Sequence, residues 1–222
     1  MDTIVLTKNY EKPTYCEREI LRYAGCKSAD DELLQLLHAC IKEVDDKLSY
    51  KVCYQIMPVS IADTKCDFGA FSCNSEKLAI NLEGCQKVIL FSATIGVEID
   101  RLIARYGRIS PAKALMFQAI GAERIESLCD VFCKDMEKEM QISLRPRFSP
   151  GYGDLSLEVQ KCIFDTLGCA KRIGLTLNNS LLMSPSKSVT AFAGIVDKEK
   201  NEQHAENKCA RCENIDCTFR GE

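Results

Sequence analysis

Apolar residues recur at the spacing of an α-helix in two long segments of the chain. In the first segment they form one stripe along a single helix face. The stripe consists of Leu33, Leu34, Leu37, Ile41, Val44 and Leu48. Ser28 and Asp31, which precede the stripe, have the spacing of a capping box. In the second segment, Ser110 followed by Pro111 predicts the start of a helix that continues to about Met140.

Three shorter helices are predicted along the chain. The first covers residues 17 to 23, the second begins at a capping Thr94 and reaches about Arg105, and the third begins near Ser156 and ends at Gly168. Within the long helix that starts at Pro111, Gly121 predicts either a bend or the close approach of another element.

Period-two alternation and short apolar runs predict the strands. In residues 50 to 59, Val52, Tyr54 and Ile56 share one face. Residues 87 to 92 contain a continuous apolar run, which is typical of a central strand buried on both faces. Further strands are predicted over residues 3 to 7 and 142 to 144, and a hairpin over residues 180 to 183 and 188 to 196.

This mixture of helices and strands has no regular βαβ rhythm. It therefore favours an α+β domain, a largely antiparallel sheet with several packed helices, over residues 1–196. Residues 197–222 differ in composition, because a charged segment without large aliphatic side chains precedes three cysteines. We expect that region to be a charged linker and a cysteine-rich C-terminal tail.

The charge balance excludes several function classes. With 29 basic and 32 acidic residues, the net charge of −3 gives no electrostatic basis for binding nucleic acid or an acidic membrane. The chain has neither an apolar run long enough to span a membrane nor a signal-like start. Eleven of the 14 cysteines precede the C-terminal tail, and several of them, including Cys40, Cys129, Cys133 and Cys162, fall within helical patterns, which indicates packed thiols in a reducing compartment. We therefore expect a cytoplasmic protein.

The segment Arg147-Phe148-Ser149-Pro150-Gly151-Tyr152 places a cation, a turn and an aromatic ring in one short loop. An arginine binds a carboxylate through two parallel hydrogen bonds, and a tyrosine ring attracts cations such as a sulfonium. Proline and glycine together also mark ordinary turns, so these six residues alone leave both a ligand site and a structural turn open.

A second block favours the ligand site. The R-x-x-P-G-Y pattern at residues 147 to 152 is followed by an M-x-P-x-x-S-V pattern at residues 183 to 189. Together the two blocks resemble the activation domain of cobalamin-dependent methionine synthase. That resemblance implies binding of S-adenosylmethionine, with Arg147, Ser149, Gly151 and Tyr152 as contacts. It is strong over about residues 145 to 195, and the family's early acidic contact has no clear counterpart here.

The resemblance also implies that the corrinoid comes from a partner. A cobalamin-binding module presents a histidine from an Asp-x-His-x-x-Gly loop, and the only two histidines here, His38 and His204, lie outside that motif. The expected role is reductive methylation, and so reactivation, of a cobalamin held by a partner methionine synthase or another corrinoid protein. An electron donor such as flavodoxin or ferredoxin would then be a further partner.

The cysteine tail supports a second interpretation. Cys209 and Cys212 form a C-x-x-C pair, and Cys217 adds a third thiol, so zinc or an iron–sulfur cluster is an expected ligand. An unliganded, reactive tail remains open on the sequence alone. The alternative function is thus a non-enzymatic metal-binding interaction protein that acts through these cysteines, with the Arg147 loop as a structural turn.

Overall fold

The computed structural model describes residues 4–26 and 28–196. Within this part of the chain, helices and strands alternate irregularly, and no helix is both long and apolar enough to cross a membrane. The helices are α1 (Glu17–Tyr23), α2 (Asp31–Val44), α3 (Glu76–Asn81), α4 (Glu98–Tyr106), α5 (Pro111–Met140), α6 (Val159–Leu167) and α7 (Cys169–Ile173). The strands are β1 (Leu6–Tyr10), β2 (Tyr50–Pro58), β3 (Ser60–Ala62), β4 (Lys65–Asp67), β5 (Ser72–Asn74), β6 (Lys87–Thr94), β7 (Ser143–Leu144), β8 (Thr176–Leu177), β9 (Met183–Ser184) and β10 (Ser188–Val196).

A five-stranded antiparallel sheet is the centre of the fold. Its strand order is β1-β2-β6-β10-β7, and all four pairings are antiparallel. Strand β6 pairs along its length with both β2 and β10, so that Tyr54 lies opposite Phe91 and Phe91 lies opposite Ala191. The predicted central strand is confirmed, because alternate β6 side chains enter hydrophobic clusters on opposite faces.

Helices cover both faces of the sheet. Helices α1, α2, α4 and α5 pack on the face that carries Tyr54 and Phe91, where the Phe132 ring of α5 contacts both aromatic rings. Helices α3, α6 and α7 pack with strand β4 on the opposite face, around Leu90 and Phe192. This arrangement confirms the predicted α+β class, with helices around an antiparallel sheet.

Helix bounds are confirmed more often than the capping residues. Helices α1 and α5 have the predicted limits. The predicted Ser28 cap of α2 is wrong, because the Asp30 side chain accepts the bond from the Leu33 amide at 2.9 Å. The predicted Thr94 cap of α4 is also wrong. Thr94 ends strand β6, where it pairs with Lys51, and α4 begins later at Glu98.

Two strand predictions are corrected by the pairing. Strand β1 begins at Leu6 rather than residue 3 and continues to Tyr10, because polar contacts of its Lys8 and Tyr10 with Asp135 hold it in place. The predicted hairpin is wrong, because the backbone of β10 pairs with β6 on one side and with β7 on the other. The short β9 pairs instead with β8.

A buried ion pair fixes α5 against the N-terminal segment. Arg124 is fully buried and donates from Nε to Glu123 Oε2 at 2.6 Å. Its other nitrogens donate to the carbonyls of residues 13 and 14, and its guanidinium lies 3.8 Å from the centre of the Tyr15 ring. Glu123 also accepts from the Cys16 amide at 3.2 Å. Both charges are thus compensated away from water, as burial requires.

Replacing Arg124 by Met leaves Glu123 buried without its cation. We expect the free energy of unfolding, measured by urea denaturation, to fall by about 3–5 kcal/mol. The matched control is Arg101→Met, which removes an ion pair with Glu98. The Arg101 side chain in this pair is 67% exposed. That change should cost less than about 1 kcal/mol. Equal losses in the two variants would contradict a structural role for the buried pair.

Candidate functional site

The Arg147 loop is fixed to the sheet by its backbone. Phe148 and Phe192 of β10 exchange two amide-to-carbonyl bonds, each 2.9 Å long. The chain then turns, with the Gly151 amide donating to the Leu155 carbonyl at 2.8 Å. Gly151 has φ 86°, a left-handed backbone conformation that residues other than glycine rarely adopt. These backbone hydrogen bonds therefore hold the loop in one conformation.

Asp154 ties the far end of this loop to α3. Its carboxylate accepts from the Ser75 hydroxyl and from the backbone amides of Glu76 and Lys77. The Ser75 hydroxyl in turn accepts from the Leu78 amide, as an N-cap does. The hydrogen bond from Ser75 is the largest of the effects that lower the pKa of Asp154. The loop and the start of α3 thus form one hydrogen-bonded unit.

A cavity of about 820 Å³ lies beside the loop. It is bordered by the loop, by helices α3 and α5, and by the start of β10. Val189, from the second sequence block, lines the cavity together with Arg147 and Tyr152. The fold therefore brings together the two blocks that the sequence separates by about thirty residues. The Tyr152 ring is 65% exposed and packs edge-on against Phe148, with ring centres 5.3 Å apart.

Arg147 is held by two carboxylates of α5. Its Nη2 donates to Glu126 at 2.8 Å, and its Nη1 donates to Asp130 at 2.5 Å. Burial works against the charged form of Arg147, but the neighbouring Cys129, Asp130 and Glu126 outweigh it and raise the pKa. The guanidinium is thus fully charged and positioned, and about one quarter of the Arg147 side chain is exposed. Cys133, one turn beyond Cys129, also lines this cavity, and burial raises the pKa of its thiol.

The charges around the cavity are mixed rather than of one sign. The lining includes three cations, Lys77, Arg145 and Arg147, and four carboxylates, Glu83, Glu126, Asp130 and Glu137. Apolar surface lies between them, contributed by Ile80, Leu144, Pro146, Phe148, Tyr152 and Val189. A polyanion would meet repulsion here. A ligand with both charges and an apolar or aromatic part matches the lining.

The second block packs directly on α5. A Cβ built on Gly121 would lie 2.9 Å from Lys187 Cγ and 3.0 Å from Ile99 Cγ1, so the glycine serves close approach. Ser186 adds hydrogen bonds to the Asp100 carboxylate of α4. Burial lowers the pKa of Lys187. Of the two roles predicted for Gly121, the structure therefore shows the close contact.

Three of the four predicted site residues line the cavity. These are Arg147, Ser149 and Tyr152, whereas Gly151 forms the turn behind them. Sequence reasoning missed Glu126 and Asp130. Their i,i+4 spacing is also common among acidic residues on solvent-exposed helix faces, so it gave no signal of a site. The predicted metal ligands Cys209, Cys212 and Cys217 lie outside the described residues. Among residues 4–26 and 28–196, no group of three or more Cys, His, Asp or Glu side chains is arranged to hold a metal ion.

Comparisons with known proteins bear on the fold. No family model and no curated protein matches the chain. Among solved structures, the chain is similar to one described as the MetH reactivation domain bound to AdoHcy, with a TM-score of 0.63 and 12% sequence identity. The match covers 86% of this chain and 78% of that one. At this identity the likeness shows the fold, and the fold that the two sequence blocks predicted is confirmed.

The anchoring of Asp154 gives a pH-dependent prediction. A carboxylate whose folded-state pKa is lowered stabilises the fold above its unfolded pKa, about 3.9, and loses that contribution as the pH falls through the folded value. We therefore expect Asp154→Asn to lower the urea midpoint at pH 7 and to converge on the wild type in acid. Asp165→Asn, which removes one carboxylate charge from an exposed position on α6, is the control. A wild-type to Asp154→Asn difference that stays constant from pH 7 to pH 3 would contradict this role.

Proposed function

We propose that the cavity beside Arg147 binds S-adenosylmethionine, and that the protein uses it in the reductive methylation of a cobalamin carried by a partner. One observation supports the proposal most directly: the first sequence block and Val189 of the second line a single cavity with a positioned, charged Arg147. The similar MetH reactivation domain, whose description includes bound AdoHcy, supports a ligand of the same chemical class. AdoHcy is S-adenosylmethionine without its transferable methyl group.

Different residues of the cavity lining would contact different parts of such a ligand. The α-carboxylate would pair with Arg147 and replace part of its contact with α5. The α-ammonium would then lie near Glu126 or Asp130, whose carboxylates are freed by that exchange. The exposed Tyr152 ring would face the sulfonium, and Ile80 and the adjacent apolar surface would cover the adenosine.

S-adenosylmethionine would supply an electrophilic methyl group. The chain's own contribution would be alignment, because no proton has to be transferred when a methyl group leaves a sulfonium. Arg147 would fix the amino-acid end, and the loop held by Asp154 would fix the backbone near the adenosine. The exposed Tyr152 would leave the sulfonium side open to a second macromolecule.

The corrinoid is proposed to arrive on that partner. His38, the one histidine among the described residues, lies on α2 next to Glu17, with 3.0 Å between Nε2 and Oε1. It does not line the Arg147 cavity. A cobalamin-binding methionine synthase or another corrinoid protein in the cytoplasm would be the acceptor, and flavodoxin or ferredoxin would supply the electron.

Arg147→Ala tests the ligand assignment. We expect S-adenosylmethionine affinity, measured by titration calorimetry, to fall roughly tenfold to hundredfold, the range for losing a charged hydrogen bond. Arg147→Lys should weaken binding less, because it keeps the charge and loses the planar two-pronged geometry. Arg172→Ala, an exposed change on α7, should leave the affinity unchanged.

A shortened ligand separates this contact from a general loss of structure. 5′-Methylthioadenosine lacks the amino-acid carboxylate, so it should bind the wild type and Arg147→Ala with equal affinity. If Arg147→Ala weakens both ligands equally, Arg147 does not contact the carboxylate. If the wild type binds neither ligand, the proposed function is wrong.

Deleting residues 197–222 separates the leading function from the alternative. The proposed ligand site lies within residues 77 to 189, so the truncated protein should retain full S-adenosylmethionine affinity. If the protein instead acts through a metal at Cys209, Cys212 and Cys217, truncation should abolish its activity and its partner binding. Iron and zinc analysis of anaerobically purified wild type and Cys209→Ser provides the direct readout for that metal.

A further inference from the structure

Two buried thiols meet between the sheet and α7. The Sγ atoms of Cys53, on β2, and Cys169, the first residue of α7, are 4.0 Å apart. The Cys169 Sγ also lies 3.3 Å from the Ser92 hydroxyl on β6. All three side chains are fully buried. The two cysteines are 116 positions apart in sequence, so the tertiary fold creates this pair.

The contacts make the two thiols unequal. The Cys53 thiol donates its hydrogen bond to the Cys169 sulfur. This bond raises the pKa of Cys53 and is the largest of the effects that lower the pKa of Cys169, with Ser92 contributing in the same direction. Of the two sulfurs, Cys169 is therefore the one that carries negative charge more easily. The thiolate is the nucleophilic form of cysteine.

A second cavity, separate from the Arg147 cavity, adjoins this pair. Its volume is about 810 Å³, and Cys169 belongs to its lining together with the neighbouring Gly168 and Ala170. The rest of the lining is mixed, with Lys161 and Asn178 beside the apolar Phe164 and Leu177. Because the Cys169 side chain has no exposed surface, hydrogen peroxide can reach its sulfur from this side only when α7 moves away from the sheet.

We propose that Cys53 and Cys169 are a peroxide-oxidisable dithiol in which Cys169 reacts first and Cys53 resolves. The Cys169 thiolate attacks one oxygen of hydrogen peroxide, the O–O bond breaks, and hydroxide leaves, which gives a sulfenic acid. The Cys53 sulfur then attacks the Cys169 sulfur, and its proton leaves with the displaced hydroxyl as water. In balance, two thiols are oxidised to one disulfide and one hydrogen peroxide is reduced to two waters.

The product would join α7 covalently to the sheet. The two sulfurs have to approach from 4.0 Å to about 2.0 Å, the length of a disulfide bond. The bridge would close a long loop of chain, and long loops give the largest restriction of the unfolded state. Oxidation would therefore stabilise the fold, independently of any ligand in the Arg147 cavity.

The test is oxidation of the full-length protein by hydrogen peroxide, followed by peptide mapping without reduction. We expect a Cys53–Cys169 linked peptide and a higher thermal midpoint, both reversed by a reducing agent. Cys169→Ala should abolish both effects. Cys40→Ala is the matched control, because Cys40 is equally buried on α2 and burial raises its pKa to about 11. This variant should still form the bridge.

A second variant isolates the order of the two steps. Cys53→Ser keeps a hydrogen-bond donor beside Cys169 but cannot form the disulfide, so the sulfenic acid should persist at Cys169. Once the peroxide has been removed and the protein is unfolded in urea that contains dimedone, dimedone should trap it there. Oxidation of the exposed Cys16 in the same sample confirms that the oxidant was active. The proposal is overturned if Cys53 and Cys169 stay reduced while Cys16 reacts, if either pairs with another cysteine, or if dimedone labels Cys53→Ser elsewhere only.

Discussion

The compensation of two buried charges on α5 is the constraint on which the rest of the structure depends. Glu123 and Arg124 lie in the interior only because the N-terminal segment supplies carbonyl and amide partners. This sets the rotation of α5 about its axis, since turning the helix would leave a charge buried without a partner. The same rotation directs Glu126 and Asp130, within two turns of that pair, toward Arg147.

Mixed charge rather than positive charge defines the Arg147 cavity. An arginine without acidic neighbours would attract any anion, including phosphate. Here two carboxylates already occupy the guanidinium, so an incoming carboxylate must displace one of them. A ligand that also carries a positive group would pair with the displaced carboxylate. A simple anion would instead lie next to that carboxylate, and the two negative charges would repel each other. These electrostatics would therefore favour a zwitterionic ligand in the proposed site, before any shape requirement applies.

The parts of the structure that the sequence predicted are those with local or periodic signals. The limits of α5 follow from Ser110-Pro111 and a sustained apolar stripe, and β6 follows from one apolar run. The pairing of β9 with β8 could not be predicted in this way, because a short interval between two strands does not show which strands form their backbone hydrogen bonds. Glu126 and Asp130 were missed for a similar reason, since only the tertiary fold distinguishes them from solvated helix residues.

The Arg147 loop illustrates why a local motif becomes a site only in its tertiary context. Its glycines permit a tight turn, but a turn alone would sample several orientations in solution. Phe148 is fixed by β10, 44 positions later, and Asp154 is fixed by Ser75 and the start of α3, 79 positions earlier. Restraint at both ends places Arg147 and Tyr152 on the same cavity without requiring them to be buried. The exposed aromatic ring thus keeps a defined position, which reduces the entropy lost when a ligand or a partner orders it.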